Sequence, residues 1–330
     1  MDFLIFFLII ISFVFVTGVC IGSFLNVVVL RAFSNESIAY PASKCPLCQK
    51  PLKWYHNIPV ISYICLSGKC AYCKDPISIQ YPIVELVTGF LFVAIFIKFG
   101  LTLNTLFMMA FASLFVVMAT TDIREKVVFD FHTYTLAILG VIYNLLNVGH
   151  VFGQKVFAVG HVSFAVNNSI IDSILGLLAG IVIMELLARF GYVVAKTRAF
   201  GEGDTYIAAG LGAVFGLNNL ITILVYSLII QIVLTLPIFF KKLYDNKDFK
   251  TIISFVGFFL VVCSFRLLDN LGLLSNMLVL GFFVFLLCAL GIYVCKRILG
   301  GIKTPENLTY LPFGPAMVFA GFIVMFMIQF

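Results

Sequence analysis

Charged residues are scarce in this chain: Asp, Glu, Lys and Arg make up 11% of its 330 residues, and tryptophan occurs once. Soluble domains carry about 25% charged residues and about 45–50% apolar ones, whereas 62% of this sequence is hydrophobic and its mean hydropathy is +1.13. A soluble fold of this size cannot hide so much apolar surface, so the excess must face lipid. The composition therefore excludes a soluble globular protein and predicts an all-α polytopic integral membrane protein.

The first apolar run, residues 3–30, lacks the basic start of a secretory signal peptide and is too long for its core, so we expect a retained membrane helix there. Further runs that approach the roughly 20 residues needed to span a bilayer follow along the chain. They lie near 82–99, 101–121, 134–149, 170–195, 204–217, 220–240, 251–268, 272–294 and 314–330. The sequence thus predicts about 9–10 transmembrane helices, of which the run 204–217 is the shortest.

The distribution of basic residues between the loops indicates the topology of these helices. If loop 31–81 lies in the cytoplasm and the runs alternate, 17 of the 21 Lys and Arg residues fall on the cytoplasmic side, as the positive-inside rule requires. Both termini then lie outside, the lipid bilayer is a partner, and the net charge of +6 gives no indication of a nucleic-acid partner. The exceptions are Lys98, Lys155, Arg189 and Arg266.

We expect five regions along the chain. They are a first helix at 1–30, a cytoplasmic loop at 31–81, a membrane core at 82–218, additional helices at 219–294, and a closing loop and helix at 295–330. No repeat of fixed period is apparent.

Loop 31–81 contains five of the nine cysteines, and four of them form two CxxC pairs. Two such pairs on tight turns can bring four thiolates around one Zn²⁺ ion, which would stabilise a loop too short to build a core. A metal site also implies a reducing compartment. Redox dithiols and unpaired cysteines remain alternatives, and Cys65 is interpreted as a bystander. The candidate ligands of this zinc-knuckle loop are Cys45, Cys48, Cys70 and Cys73.

Two carboxylates fall at matching membrane depth. Asp122 ends the third run, and Asp204 closes the sequence Gly201-Glu202-Gly203-Asp204 at the start of the sixth. Acids beside the hydrocarbon region are costly and usually functional, and alternation places both on the cytoplasmic face. Paired carboxylates can act as general base and general acid, while Gly201 and Gly203 permit close backbone approach. The alternative is that both are boundary residues solvated by the cytoplasm.

Further acids are candidates for supporting roles. Asp130 lies eight residues after Asp122, about two helical turns later and near the same helix face, so it either supports the site or merely caps the next span. Glu85 lies inside the second run, where it needs a partner, either a basic residue of loop 31–81 or Asn26. Glu202 belongs to the same motif as Asp204.

Together these residues resemble the type IV prepilin peptidases, the bifunctional leader peptidase/N-methyltransferases, which are GxGD-type membrane aspartic peptidases. No single motif decides this, but several occur in the family's order. They are Gly22–Val27 followed by Arg31, the two CxxC pairs, Trp54–Pro59, Tyr81–Glu85, Thr121-Asp122, Gly201–Asp204 and Pro312–Pro315.

The resemblance implies an enzyme of the bacterial inner membrane with a cytoplasmic active site and a cytoplasmic Cys loop. Asp122 and Asp204 match the family's catalytic pair. Such enzymes cleave the basic leader of type IV prepilins and pseudopilins, which serve pili and type II secretion, and then methylate the new N-terminus with S-adenosylmethionine. Glu202, Asp130 or Glu125 would help to hold the leader. No sequence pattern identifies the site of the methyl donor, although loop 31–81 with Glu85 is the candidate region for methylation.

The chain departs from the family pattern at several positions. Tyr206 stands where a Lys is usual, Gln80 where an Arg is usual, and Phe129 where a Pro is common, and the stretch 220–294 adds about two spans. Three other functions therefore stay open: a peptidase without methyltransferase activity, a proton- or cation-coupled transporter, and a zinc-dependent assembly scaffold with inert acids.

Overall fold

The computed structural model describes most of the chain, namely residues 2–34, 42–146, 169–195, 201–245, 249–254 and 313–327, with single positions at 37, 40, 256, 257, 260, 261, 286 and 293. Seven long or medium helices and one short helix carry the architecture. They are α1 (Asp2–Ser34), α2 (Ile61–Cys65), α3 (Gln80–Phe99), α4 (Leu103–Glu125), α5 (Asp130–Leu145), α6 (Ser169–Ala195), α7 (Glu202–Asp245) and α8 (Gly314–Met327).

The predicted fold class, an all-α membrane protein, is confirmed. In the described residues regular structure is helical apart from two isolated β-bridges in the Cys loop. Helices α1, α3, α4, α6 and α7 each contain a segment long and apolar enough to cross a membrane, and α8 is shorter and apolar. Residues 251–261 are described only in part, the expected run 272–294 is described only at positions 286 and 293, and loop 295–312 lies outside the described residues.

The chain divides into two compact units. One comprises Met1–Ala188, Phe200–Ser227 and Pro312–Phe330, and the other comprises Arg189–Ala199 and Leu228–Leu311. In the first unit α1 packs along α3, and α4 contacts α1, α3, α5 and α8. Its core contains large, fully buried side chains such as Phe111, Phe115, Tyr143 and Phe215. Helix α4 therefore lies at the centre of this unit.

The expected relation between Asp122 and Asp130 is wrong. Helix α4 ends at Glu125 because Lys126 adopts a left-handed conformation (φ 56°), and the Lys126 N–H bonds back to the carbonyl oxygen of Asp122 at 2.9 Å. A new helix, α5, then begins at Asp130. The two acids thus occupy different helices, and their spacing of two helical turns does not place them on one face.

Helix α7 is broken near its middle at Gly216, whose φ of 77° and ψ of 175° are not helical. The break accounts for the two expected runs, 204–217 and 220–240. Its free backbone groups find partners in α5 and α6: Asn144 Nδ2 donates to the carbonyl of Val214 at 3.2 Å, and Asp172 Oδ1 accepts the Leu217 N–H at 3.1 Å. Interrupted helices are tolerated at membrane depth only when neighbours satisfy the backbone in this way.

Helix α8 lies against α4 in the first unit, and a side chain of α3 holds its C-terminal end. At its start, Met317 N–H bonds to the Phe313 carbonyl at 3.1 Å, and Phe313 is buried. At its end, Lys98 Nζ from α3 donates to the carbonyl oxygens of Met325 (3.2 Å) and Phe326 (2.5 Å). Lys98, one of the exceptions to the charge rule, therefore closes the C-terminus of α8 at the opposite side from Asp122.

Candidate active site and cysteine cluster

Asp122 lies in the last turns of α4 and is almost completely buried, with 4% of its surface exposed. Its Oδ2 atom has no hydrogen-bond partner among the described residues. A buried carboxylate oxygen without a partner carries a desolvation cost that structural roles normally avoid. One oxygen of Asp122 is therefore buried with its hydrogen-bonding capacity unused.

Asp204 lies in the first turn of α7 and is equally buried, with 5% exposed. Its Oδ2 accepts the backbone N–H of Gly201 at 3.0 Å, and the N-terminal position in the helix favours a negative charge. Gly203 allows this turn to pack closely, because a Cβ there would lie 2.8 Å from Val128 Cβ. The Gly201–Asp204 turn thus holds Asp204 in one place.

The structure brings Asp122 and Asp204 together. The two side chains interact electrostatically, and the backbone amide of Gly314 lies close to both. A Cβ on Gly314 would overlap Asp122 Oδ2. Two buried carboxyl groups that lie this close together share one proton more readily than they both ionise. The pair can therefore act as base and acid in one reaction.

Two other predicted acids are exposed. Asp130 and Glu202 each occupy the first turn of their helix and are exposed. Tyr206, which stands where the resemblance expects a Lys, packs against Tyr134 with ring centroids 5.7 Å apart, and Asp130 interacts with Tyr134. Sequence inspection did not predict this aromatic pair.

Glu85 is buried in α3, but its expected partners are wrong. Its Oε2 accepts the backbone N–H of Val60 at 2.7 Å, and Ser23 hydrogen-bonds the same carboxylate. Asn26 donates instead to the carbonyl oxygen of Tyr81 at 3.2 Å. Glu85 therefore links the Cys loop to the start of α3 through the loop's backbone.

The turn that Glu85 holds is strained. Val60 has φ 62° and ψ −51°, and the Ile61 N–H bonds to the Pro59 carbonyl at 2.6 Å. This is a γ-turn with positive φ, a rare conformation and an unfavourable one for a β-branched residue. Strain of this kind persists only where surrounding contacts impose it.

The four predicted ligands of the Cys loop converge. Their Sγ atoms all lie within 4.8 Å of one another, and those of Cys45 and Cys73 are 3.8 Å apart. Four sulfurs at about 2.3 Å from a tetrahedral Zn²⁺ ion would be separated by about 3.8 Å, so the cluster fits such an ion. Cys65 is exposed and takes no part.

The cluster is built from two equivalent knuckles, a short repeat that the sequence analysis did not predict. Residues 44–51 and 69–76 share the pattern K-C-x-x-C-x-x-P, and each closes with an antiparallel bridge between its Lys and its Pro. Gln49 and Lys74 take positive φ at equivalent positions. The paired pattern itself was the available signal for this repeat.

The backbone of the second knuckle favours metal binding. N–H groups of Cys73 and Tyr72 lower the pKa of the Cys70 thiol to about 6, whereas the Asp75 side chain raises the pKa of Cys73. Thiolate is the form that binds metal, so the lowered pKa favours Cys70 as a metal ligand.

Comparison with known proteins matches two family models in tandem. Residues 16–99 match the bacterial peptidase A24 N-terminal domain, and residues 109–236 match the type IV leader peptidase family. No solved structure matches the chain.

Curated relatives carry the name prepilin leader peptidase/N-methyltransferase. The chain is 33% identical to that of Myxococcus xanthus over 215 residues, covering 65% of this chain and 59% of the relative, so the match spans less than two thirds of that protein. It is 30% identical to that of Neisseria gonorrhoeae over 242 residues (66% and 78%) and 29% identical to that of Klebsiella pneumoniae over 211 residues (62% and 85%).

Proposed function

The chain belongs to the type IV leader peptidase family, an enzyme family with peptidase activity, and on that premise we propose that it is a membrane-embedded aspartic endopeptidase. Its substrates are type IV prepilins or pseudopilins, from which it removes the basic leader at the cytoplasmic face of the bacterial inner membrane. The observation that carries the proposal is the convergence of Asp122 and Asp204, two buried carboxylates from different helices.

The two carboxylates divide the chemistry of peptide hydrolysis. One takes a proton from a water molecule as the water oxygen adds to the scissile carbonyl carbon, and the other gives its proton to the carbonyl oxygen. The resulting diol collapses: one hydroxyl returns its proton to the second carboxylate, the C–N bond breaks, and the leaving amine receives from the first carboxylate the proton that came from water. No covalent intermediate with the enzyme forms. The buried Oδ2 of Asp122 has no hydrogen-bond partner among the described residues, which supports Asp122 as the carboxylate that binds the water.

The depth of the pair suits this substrate. A prepilin has its scissile bond between a basic leader and an apolar helix, so the bond lies where lipid meets cytosol. Asp122 precedes the end of α4 by three residues, and Asp204 lies in the first turn of α7, which supports a position near a membrane boundary for both. The excess of Lys and Arg in the loops on that side supports a cytoplasmic face.

Two further features complete the proposal. Cys45, Cys48, Cys70 and Cys73 would hold a Zn²⁺ ion that stabilises the Cys loop. The relatives' name adds N-methylation of the new N-terminus, for which S-adenosylmethionine would supply the methyl group. We assign no residue to this cofactor. Because Glu85 contacts the Cys loop through the Val60 N–H, loop 31–81 with Glu85 stays the candidate region for methylation.

The test is co-expression of the enzyme with an epitope-tagged prepilin that has a basic leader, Phe as the first mature residue and an apolar helix. The wild type should shift the prepilin to its shorter form on a gel. Asp122→Asn and Asp204→Asn should each lower the cleavage rate ~10²–10⁴-fold, because each removes a proton-transfer group. Normal cleavage in both variants rules out the aspartic mechanism and favours a scaffold.

The matched control is Asp172→Asn, the same chemical change at another acid of this unit. An Asn oxygen can still accept the Leu217 N–H, so cleavage should stay within about twofold of the wild type. Mass spectrometry of the mature N-terminus then separates a bifunctional enzyme from a peptidase without methylation. Uptake of protons or cations without any cleavage would favour the transporter.

A further inference from the structure

The N-terminus of α8 faces the Asp pair. The first N–H groups of any helix lack partners within the helix, and here the second residue, Pro315, has no N–H at all. Gly314 and its neighbour Phe313 are buried, so solvent does not satisfy this end of the helix. The Gly314 amide instead lies close to the carboxylates of Asp122 and Asp204.

A second observation points to the same place. Asp122 is almost completely buried, and its Oδ2 has no hydrogen-bond partner in the described part of the chain. That oxygen is also the atom that a Cβ on Gly314 would overlap, and the same Cβ would lie 3.0 Å from Ile207 Cδ1. The orphaned oxygen is therefore directed at the start of α8, where the helix dipole is positive.

The position of α8 is fixed independently of this contact. Lys98 holds the carbonyl oxygens at the far end of the helix, and Met317 and Ala320 are buried in the core of the unit. The start of α8 cannot therefore move away to accommodate a side chain at Gly314. Asp122 would have to move instead.

We propose that Gly314 is a positioning residue of the active site: its backbone amide holds the two carboxylates in register, and the absence of a side chain leaves Asp122 the space it occupies. The inference rests on the proposed peptidase function. It adds a third chain segment, separated from Asp204 by about a hundred residues, to the hydrolytic machinery.

The experiment compares Gly314→Ala with Gly321→Ala on the same helix. The side chains nearest to a Cβ at Gly321 would be Leu211 (3.0 Å) and the ring of Phe115 (3.5 Å), so this control tests the same substitution away from the pair. Cleavage of the tagged prepilin by the purified enzyme gives kcat and KM. Gly314→Ala should lower kcat about 100-fold, because displacement of a reacting group by about 1 Å has that cost, and KM should change less than about threefold.

Gly314→Ala with kcat within about threefold of the wild type overturns the proposal. So does an equal loss in Gly321→Ala, because the effect would then belong to the helix and not to the contact.

Thermal unfolding provides a readout that does not depend on cleavage. Gly314→Ala should lower Tm by ~4 °C in the wild type and by less than half of that in Asp122→Ala, which lacks the overlapping oxygen. If Gly314→Ala lowers Tm equally in the wild type and in Asp122→Ala, the contact is refuted. It is also refuted if Gly314→Ala prevents the protein from accumulating both with and without Asp122→Ala. If the wild type leaves the prepilin uncut, the peptidase function fails while this coupling still tests the contact.

Discussion

Lys98 closes the last turn of α8 by donating a hydrogen bond from Nζ to the carbonyl oxygen of Phe326 at 2.5 Å. The carbonyls at a helix end have no partners within the helix, and a cation at that end also meets the negative pole of the helix dipole. The relationship explains why a lysine lies on the side of the protein that otherwise has few basic residues.

We expect Lys98→Met to destabilise the protein by about 1–3 kcal/mol, because it leaves the carbonyls of Met325 and Phe326 without a donor. Thermal unfolding in detergent is the measurement. Lys98→Arg is the control: it keeps a cationic donor and should remain near the wild-type Tm. Equal loss in both variants would show that the length of the side chain matters more than the hydrogen bonds.

The break in α7 provides the second prediction. Gly216→Ala should destabilise the protein by at least about 1 kcal/mol, since φ of 77° is unfavourable for an L-residue and the new Cβ would overlap Asp172 Oδ2. Gly257→Ala, whose Cβ would meet open space, is the comparison. Unfolding curves for the two variants that coincide would contradict a specific role for Gly216.

The third prediction concerns the metal. Purified protein should contain about one zinc per chain, and Cys45→Ser should remove most of it, because a structural site needs all four thiolates. Elemental analysis is the measurement, and limited proteolysis of residues 42–79 should become faster as the metal is lost. Cys65→Ser should retain the metal. Zinc loss in Cys65→Ser alone would show that the ligand set is wrong.

The fourth prediction separates the two activities of the relatives. Glu85→Ala removes the acceptor of the Val60 N–H and should loosen the Cys loop from α3. If methylation depends on that loop, as we propose, the variant should lower methylation at least tenfold more than cleavage. Mass spectrometry of mature pilin gives both values from one sample. Glu85→Gln keeps an acceptor oxygen and should behave like the wild type, and a parallel loss of both activities would contradict the separation.

Hydropathy and charge predicted most of the helices of the first unit, because lipid imposes long apolar segments on any such chain. They ended the third run at residue 121, within a few residues of the end of α4 at Glu125, but they did not predict the left-handed conformation of Lys126 that ends the helix. The same charge pattern left Lys98 unexplained, because its partners are backbone carbonyls of a helix more than two hundred residues away.

The candidate site was predicted in part. Asp122 and Asp204 carry local signals, namely an acid at a membrane boundary and a Gly-x-Gly-Asp turn. Gly314 belongs to a motif that was noticed, but its contact with Asp122 depends on how α8 packs against α4, which no local pattern encodes. The partner of Glu85 was missed for a similar reason: it is a main-chain N–H, and every residue other than proline has one.

The break at Gly216 has a consequence for how the chain accommodates extra length. Helix α7 up to that residue is tied to α5 and α6 by Asn144, Ser173 and Asp172, so the backbone that carries Asp204 is secured before the chain continues. The segment Leu228–Leu311 forms part of a different unit, and the chain then returns with Pro312–Phe330 to the unit that contains the Asp pair. A change in the length of the segment Leu228–Leu311 should therefore leave the anchorage of Asp204 intact.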